Sequence, residues 1–475
     1  MPARVKAKRA GPLARGSDRA ITRQIAAFVA AARYESLPAA AIEAAKDSFL
    51  DTLGIAIAGA VEPAARIITR YALQSGGSAE SSLVGCAAKV PARVAAEVNG
   101  TLAHIVGFSD FSVPNVLHPS VAVLPAVWAV GEARRASGKA LLLAHVLGVE
   151  VSCKIAGVLT PAFTQRGFHP CAAVGTFGAA AAAGKLLGLD AAALSHALGI
   201  AGVRAAGIKV SLGTMSKAYA VGNAAGGGVA AAELAAVGFT GPDDVLEGRD
   251  GFLQTFGGGV ESAALTDVLG NPYEFEHPGI AIKPYPACTR AHPAIDSAID
   301  VSARPGFAAV DIDAVECEVA PAVLQVVKIS EPRNPMEAKF SLPFCIATAL
   351  LDRDISMETF TEAKLNDAGV RRLMQRVRPR AAESLARRGS FAARLTVRMK
   401  NGATLQAQCD RNLWDQPGVA TRAKREQLVR KFRHCAGRVL GEDEIVQVMA
   451  LAEALEGEPN LDRLMGIARI GRASH

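Results

Sequence analysis

Four of the nine histidines in this chain stand directly before a proline: His118-Pro119, His169-Pro170, His277-Pro278 and His292-Pro293. Proline is well tolerated in the first turn of a helix, where its missing N–H is no loss, so the residue before it falls near the cap. A helix start carries unpaired N–H groups and a partial positive charge that suits anions. An imidazole held there tends to stay neutral and can act as a base. The pairing therefore fits chemistry on a carboxylate that must lose a proton. For any single one of these histidines, capping or core packing is the plainer role.

Two lysines fit the same chemistry. Lys217 lies in GTMSKAYAVGNAAGGG, where Thr214, Ser216 and the glycines can bring backbone donors to a ligand. Lys283 lies in IKPYPACTRAHPAID, with Tyr285, Cys288, His292 and Asp296 close by in sequence. A lysine can neutralise a carboxylate or stabilise enolate-like charge, although a lone lysine is usually a solvated surface residue. A third cluster, NGTLAHIVGFSDFSVPNVLHPS, holds His104, Asp110, Ser112 and His118. An acid close to a histidine can fix its tautomer, which makes Asp110 and His118 a candidate pair. Asp110 would equally serve as a loop or capping residue.

Other chemistries find no support. The eight cysteines form no CxxC, and their spacing suits neither zinc nor an iron–sulfur cluster, so no metal is expected. They read as reduced thiols of a cytoplasm-like compartment. GAAAAAGKL has one residue too many for a phosphate-binding loop and lacks Ser or Thr after Lys185. The net charge is +7, but residues 1–19 carry six Lys/Arg against one Asp, which leaves only +2 for the remainder. With 5% aromatics there is no stacking platform for single strands, so nucleic acid is not expected as a partner. The basic arm lacks the apolar stretch of a secretory signal. No apolar run reaches the roughly 18 uninterrupted residues of a spanning helix, so no membrane is expected.

The elements that must position these residues change character along the chain. From about residue 20 to 265 the pattern is helical. In SLPAAAIEAAKDSFLDTLGIAIAG, Ser36 is expected to cap, Pro38 to open the helix and Gly59 to close it. Ile42, Ala45, Phe49, Leu53 and Ala56 mark one face. Beyond residue 270, VDIDAVECEV alternates, and LTVRM and ATLQAQC flank an Asn401-Gly402 turn, a strong hairpin signal. EAKFSLPFCIATALLDR and DAGVRRLMQRV read as helices between them, and the last segments are helical again. The expected fold is mainly α with an inserted α+β domain: a disordered arm at 1–19, an all-helical domain from 20–269 and 410–475, and a smaller α/β lid at 270–409. A cleft between two such units is a common place for a ligand.

Together, DTLGIAIAG, NGTLAH…FSD…HPS, GFHPCAAVGTFGAAAAAGKLLGLD, GTMSKAYAVGNAA, GFTGP, KPYPACTRAHPAID and EAKFSLPFCIATALLD resemble blocks of the 2-methylcitrate dehydratase/cis-aconitate decarboxylase family (MmgE/PrpD). They run in family order across most of the chain. The resemblance implies a helical domain with a smaller α/β lid, usually a homodimer, and cofactor-independent dehydration, decarboxylation or epimerisation of a di- or tricarboxylate; with the reduced thiols, a cytoplasmic location is expected. It implies that His118, His169, Lys217 and Lys283 line the pocket. His169 then serves as general acid or base with His118, held by Asp110, as its partner. Lys217 and Lys283 bind carboxylates, with Thr214, Ser216, Tyr285, Cys288 and His292 as further contacts. Gly107-Phe108-Ser109-Asp110-Phe111 stands where the family's acidic DFDDT motif is usual, so only the last Asp remains. This loss points to an altered substrate. The epimerase branch and a non-catalytic carboxylate-binding homologue are the alternative readings.

Overall fold

The computed structural model describes residues 20–469, except 161, 259–264, 390 and 411–420. The basic arm lies outside the described residues. The chain is mainly helical and forms two hydrophobic cores. The first runs from Ile21 to Ile282 and is rejoined by Leu428–Ala468. The second runs from Ala287 to Ala407.

Alanine and glycine set how closely the first core packs. Helix Ser216–Ala236 lies between helices Ala92–Ile105 and Pro170–Leu186. At Gly222 a Cβ would stand 2.1 Å from Thr101 Oγ1 and 2.2 Å from the Glu97 carbonyl, so only glycine permits this approach. The longest apolar helix, Gly138–Leu159, is long enough to cross a bilayer, but 83% of its most apolar window is buried in the core. The C-terminal helix Thr421–Ala436 returns to the start of the chain, where Phe432 packs on Gly54 and Lys431 pairs with Asp51 at 2.6 Å.

The second core is a four-stranded sheet covered by helices. Its spatial order is Val377–Ala381, Ile312–Val319, Ala393–Met399, Thr404–Cys409, with the first pair parallel and the others antiparallel. Val315, Cys317 and Val319 face inward, as their alternation predicts, while Glu316 and Glu318 meet Arg380 and Arg394 outside. The hairpin closes around Asn401-Gly402.

Three local expectations are corrected. Ser36 ends a short 3₁₀ turn and donates to the Arg33 carbonyl, so helix Ala39–Gly59 starts after Pro38 without a side-chain cap. The first part is not wholly helical, because Ser81–Leu83 and Cys86–Val90 form a two-stranded hairpin. EAKFSLPFCIATALLDR breaks into Pro335–Ala338 and Leu342–Asp352, since Ser341 accepts from the Phe344 N–H and starts a new helix.

Candidate active site

The four His-Pro pairs end up in different places. His169 is the N-cap of helix Pro170–Leu186, in extended conformation, as expected. His118 lies two residues before helix Ser120–Ala133. His292 is the first residue of helix His292–Ser302. His277 lies in a turn and starts no helix, because Pro278 leads into the Gly279 turn instead.

His118, His169, Lys217, Lys283 and Cys288 line one cavity of about 190 Å³ between the two cores. Lys209, Arg290 and Lys339 add three more cationic side chains, and no Asp or Glu lines the cavity. Lys217 is the second residue of helix Ser216–Ala236. The starts of two helices thus reach the cavity and add to its positive potential.

The loop from Val106 to Leu117 shapes one wall. Its backbone carbonyls hold the cations: Val106 accepts from Lys339 Nζ at 2.5 Å, Gly107 from Lys283 Nζ at 3.1 Å and Phe108 from Lys431 Nζ at 2.7 Å. The Asp110 carbonyl accepts from His118 Nδ1 at 2.5 Å. A carbonyl only accepts, so this bond places the proton on Nδ1 and leaves Nε2 with its lone pair. Ser109 Oγ lies between the two neighbouring imidazoles, 3.3 Å from His104 Nδ1 and 3.2 Å from His118 Nδ1. A buried network supports the far end of the loop: Asn115 donates to Ser112 and to Glu274, which pairs with Lys154 at 2.9 Å.

The expected Asp110–His118 pair is therefore corrected. The main chain of Asp110 orients the imidazole, and its carboxylate turns away to accept from Ser48 at 2.8 Å. Burial pushes that carboxyl up to about 6. Tyr285 and His292 are also absent from the cavity wall. The Tyr285 hydroxyl donates to Asp296 at 2.7 Å, and His292, fully buried, lies 3.2 Å from the Ala287 carbonyl through Nε2. Both support the 283–290 loop from behind. Thr214 lines a neighbouring cavity, and Ser216 is exposed where its helix begins.

Electrostatics follow from burial without counter-charge. His118 is held well below its usual value, first by burial and then by Lys283 and Lys217. His169 falls to about 3, from burial and then Lys217. Both imidazoles are neutral at pH 7. His169 Nδ1 is buried without a hydrogen-bond partner. A buried unpaired N–H costs more than an unpaired acceptor, so the favoured tautomer carries its proton on Nε2. One imidazole thus offers a lone pair and the other an N–H. Burial lowers Lys217 to about 8 and Lys283 to about 7. Among the described residues, Lys217, Lys283 and Lys339 have no carboxylate partner.

The sequence reading did not single out Lys209, Arg290, Lys339 or Lys431. Arg290 and Lys339 sit inside motifs quoted above, KPYPACTRAHPAID and EAKFSLPF. Lys431 sits in KREQLVRKFRHCA, one of the last segments, whose sequence points only to a helix.

Between the two cores lies an acid-free, cation-rich cavity with two neutral imidazoles, a charge pattern that suits small anions. The chain belongs to the MmgE/PrpD family: the N-terminal domain model matches residues 23–264 and the C-terminal domain model residues 285–455. It is 29% identical over 452 residues to human cis-aconitate decarboxylase, covering 92% of each chain. The mouse cis-aconitate decarboxylase is 28% identical, and that of Aspergillus terreus 25% identical over 462 residues. These relatives support a lyase of this family at the level of class.

Proposed function

We propose that the chain is a cofactor-independent decarboxylase of a cis-aconitate-like tricarboxylate. The observation that carries this reading is the cavity of about 190 Å³, lined by five cationic side chains, two neutral imidazoles and no acid. Relatives that share 92% of the chain and are named cis-aconitate decarboxylases support the same reaction.

In this reading Lys217 and Lys283 hold carboxylates through charge-assisted hydrogen bonds. The bond to the leaving carboxylate breaks and its electron pair stays on carbon. The negative charge spreads onto a neighbouring carboxylate, which the lysines stabilise. An imidazole delivers a proton to that carbon, so each turnover releases CO2 and takes up one proton from solvent. The N–H that His169 presents and the lone pair that His118 presents give the site both a donor and an acceptor.

The free lone pair of His118 favours a second reading, abstraction of a proton next to a carboxylate, as in a dehydratase or epimerase. Proton NMR in D2O with cis-aconitate, 2-methylcitrate, citrate and iminodisuccinate separates these reactions. Decarboxylation yields CO2 and a deuterated product. Dehydration yields a new alkene without CO2, and epimerisation yields neither. No change in any of the four substrates refutes the lyase reading.

The reading includes a homodimer. Tyr71 on helix Pro63–Gln74 and Tyr219 on helix Ser216–Ala236 are 63% and 44% exposed. Tyr71 lies close enough to Tyr219 to raise its proton affinity, and Ile67 and Met215 are exposed on the same two elements or beside them. Sedimentation velocity should show a dimer for the native chain and a monomer for Tyr71→Asp with Tyr219→Asp; a native monomer rejects it.

A further inference from the structure

Lys339 comes from the second core, whereas His118, His169 and Lys217 come from elements of the first. It lies where the inner cavity meets a larger outer cavity of about 610 Å³, and Lys217 and Met336 are the other residues common to both walls. The acids of the outer cavity, Glu62, Glu358 and Glu362, lie on other elements; Glu62 is near enough to favour the charged form of Lys339 but forms no ion pair with it.

Three consecutive carbonyls, Val106, Gly107 and Phe108, each accept from a lysine: Lys339, Lys283 and Lys431. Only Lys431 has an acid of its own, Asp51, at 2.6 Å. Among the described residues no carboxylate lies within ion-pairing distance of Lys339, Lys283 or Lys217. The charge on Lys339 also depresses Lys283, and that on Lys217 depresses Lys339 and Lys283. All three amines line the one cavity of about 190 Å³, and two of them bond adjacent carbonyls, so one small ligand can meet all three. The other cations of the wall form a separate group: Lys209 donates to the Thr164 carbonyl, and Arg290 to the Ala322 carbonyl while lying over the Phe391 ring.

Gly107 forms part of the wall beside Lys339 without a side chain. Gly107 has φ +70°, a conformation that favours glycine, and a Cβ there would stand 3.7 Å from Lys339 Cδ and 4.0 Å from its Nζ. With no Cβ at Gly107, nothing from that residue presses on the lysine side chain. Two unpaired amines satisfy a dicarboxylate, and the third, the half-buried Lys339, is left without a paired counter-charge unless a third carboxylate arrives.

We propose that Lys339 receives the third carboxylate of the substrate and makes this site select tricarboxylates over dicarboxylates. The proposal rests on the reading of the cavity as a polycarboxylate lyase site and names the residue that sets its substrate class. Lys339 reaches the ligand from the second core, so the third carboxylate also ties the two cores together across the cavity.

Calorimetric titration of the full chain with tricarballylate and glutarate tests this, because the two differ only by the central carboxylate and neither is a substrate for decarboxylation of an unsaturated acid. The native protein should prefer tricarballylate by about ten- to a hundredfold, the range of a charge-assisted hydrogen bond. Lys339→Met should remove that preference and leave glutarate affinity within about twofold. Lys339→Gln, which keeps a donor for the Val106 carbonyl, replaces it if the methionine variant does not show a native thermal transition. A variant that keeps the preference, or a native protein that lacks it, overturns the proposal. Because the probes do not react, the outcomes separate. A preference dependent on Lys339 without turnover of cis-aconitate defeats the reaction and not the role of Lys339. Turnover with an unchanged preference in the variant defeats the role of Lys339 alone.

Discussion

Raising the pH from 7 to 8 should weaken polycarboxylate binding by about tenfold, and the reason lies in two buried amines. Burial lowers Lys283 to about 7 and Lys217 to about 8 in the free protein. A lowered amine loses its proton as pH rises through that value, and a neutral amine does not hold a carboxylate. If binding requires the charged form, each amine weakens the apparent affinity by the factor 1 + 10^(pH − pKa). Between pH 7 and 8 this factor grows about fivefold for Lys283 and about twofold for Lys217. Bound carboxylates favour the ammonium and raise both values, so binding must take up protons. At pH 8 the free site holds about 0.6 of the two protons, so uptake is about 1.4 per ligand. For a tricarboxylate, Lys339, also lowered to about 8, adds up to half a proton and about another twofold in affinity. His118 and His169 lie far below this window and contribute nothing within it. Titration of tricarballylate at both pH values, in buffers of different ionisation enthalpy, reads affinity and proton uptake together. Equal affinity at pH 7 and 8 with no uptake refutes the reasoning, because it requires lysines already charged in the empty site.

Three mutational outcomes follow from the geometry. His118→Ala and His169→Ala should each lower kcat by about 10²–10⁴, whereas Asp110→Asn should cost less than about tenfold, because the main chain of Asp110 holds His118; steady-state rates on the substrate found by NMR compare the three, and an Asp110 effect equal to that of the histidines contradicts this arrangement. Lys431→Met should destabilise the fold by about 3–5 kcal/mol in urea titrations, since it leaves Asp51 buried without its partner; a change below about 1 kcal/mol shows that the pair is dispensable. Gly222→Ala should cost about 1–3 kcal/mol or more in the same assay, because its Cβ meets the Glu97 carbonyl and Thr101 hydroxyl at 2.2 and 2.1 Å; unchanged stability means that the helices separate freely.

The helical part and the later strands were legible from periodicity, and His118, His169, Lys217, Lys283 and Cys288 were singled out before their meeting place was known. Periodicity reads one face of one element at a time. It therefore located Val315, Cys317 and Val319 in a core but missed the short Ser81–Val90 hairpin, which is too brief to establish a period. It also placed Ser36 at a cap that the chain does not use, because a residue before Pro38 can equally finish a 3₁₀ turn.

Local sequence by itself determined which segments become helices and which residue types stand near their starts. It could not determine what a side chain faces once distant segments meet. Tyr285 and His292 share a motif with Lys283, but they turn behind the loop while the lysine enters the cavity. Asp110 contributes its carbonyl to His118 and sends its carboxylate to Ser48, a choice made by helix Ala39–Gly59 packing alongside. Lys339 and Lys431 join the site from 233 and 323 residues beyond the carbonyls they bind. Charge, tautomer and proton affinity depend on burial and on neighbours brought from afar, and those belong to the tertiary structure.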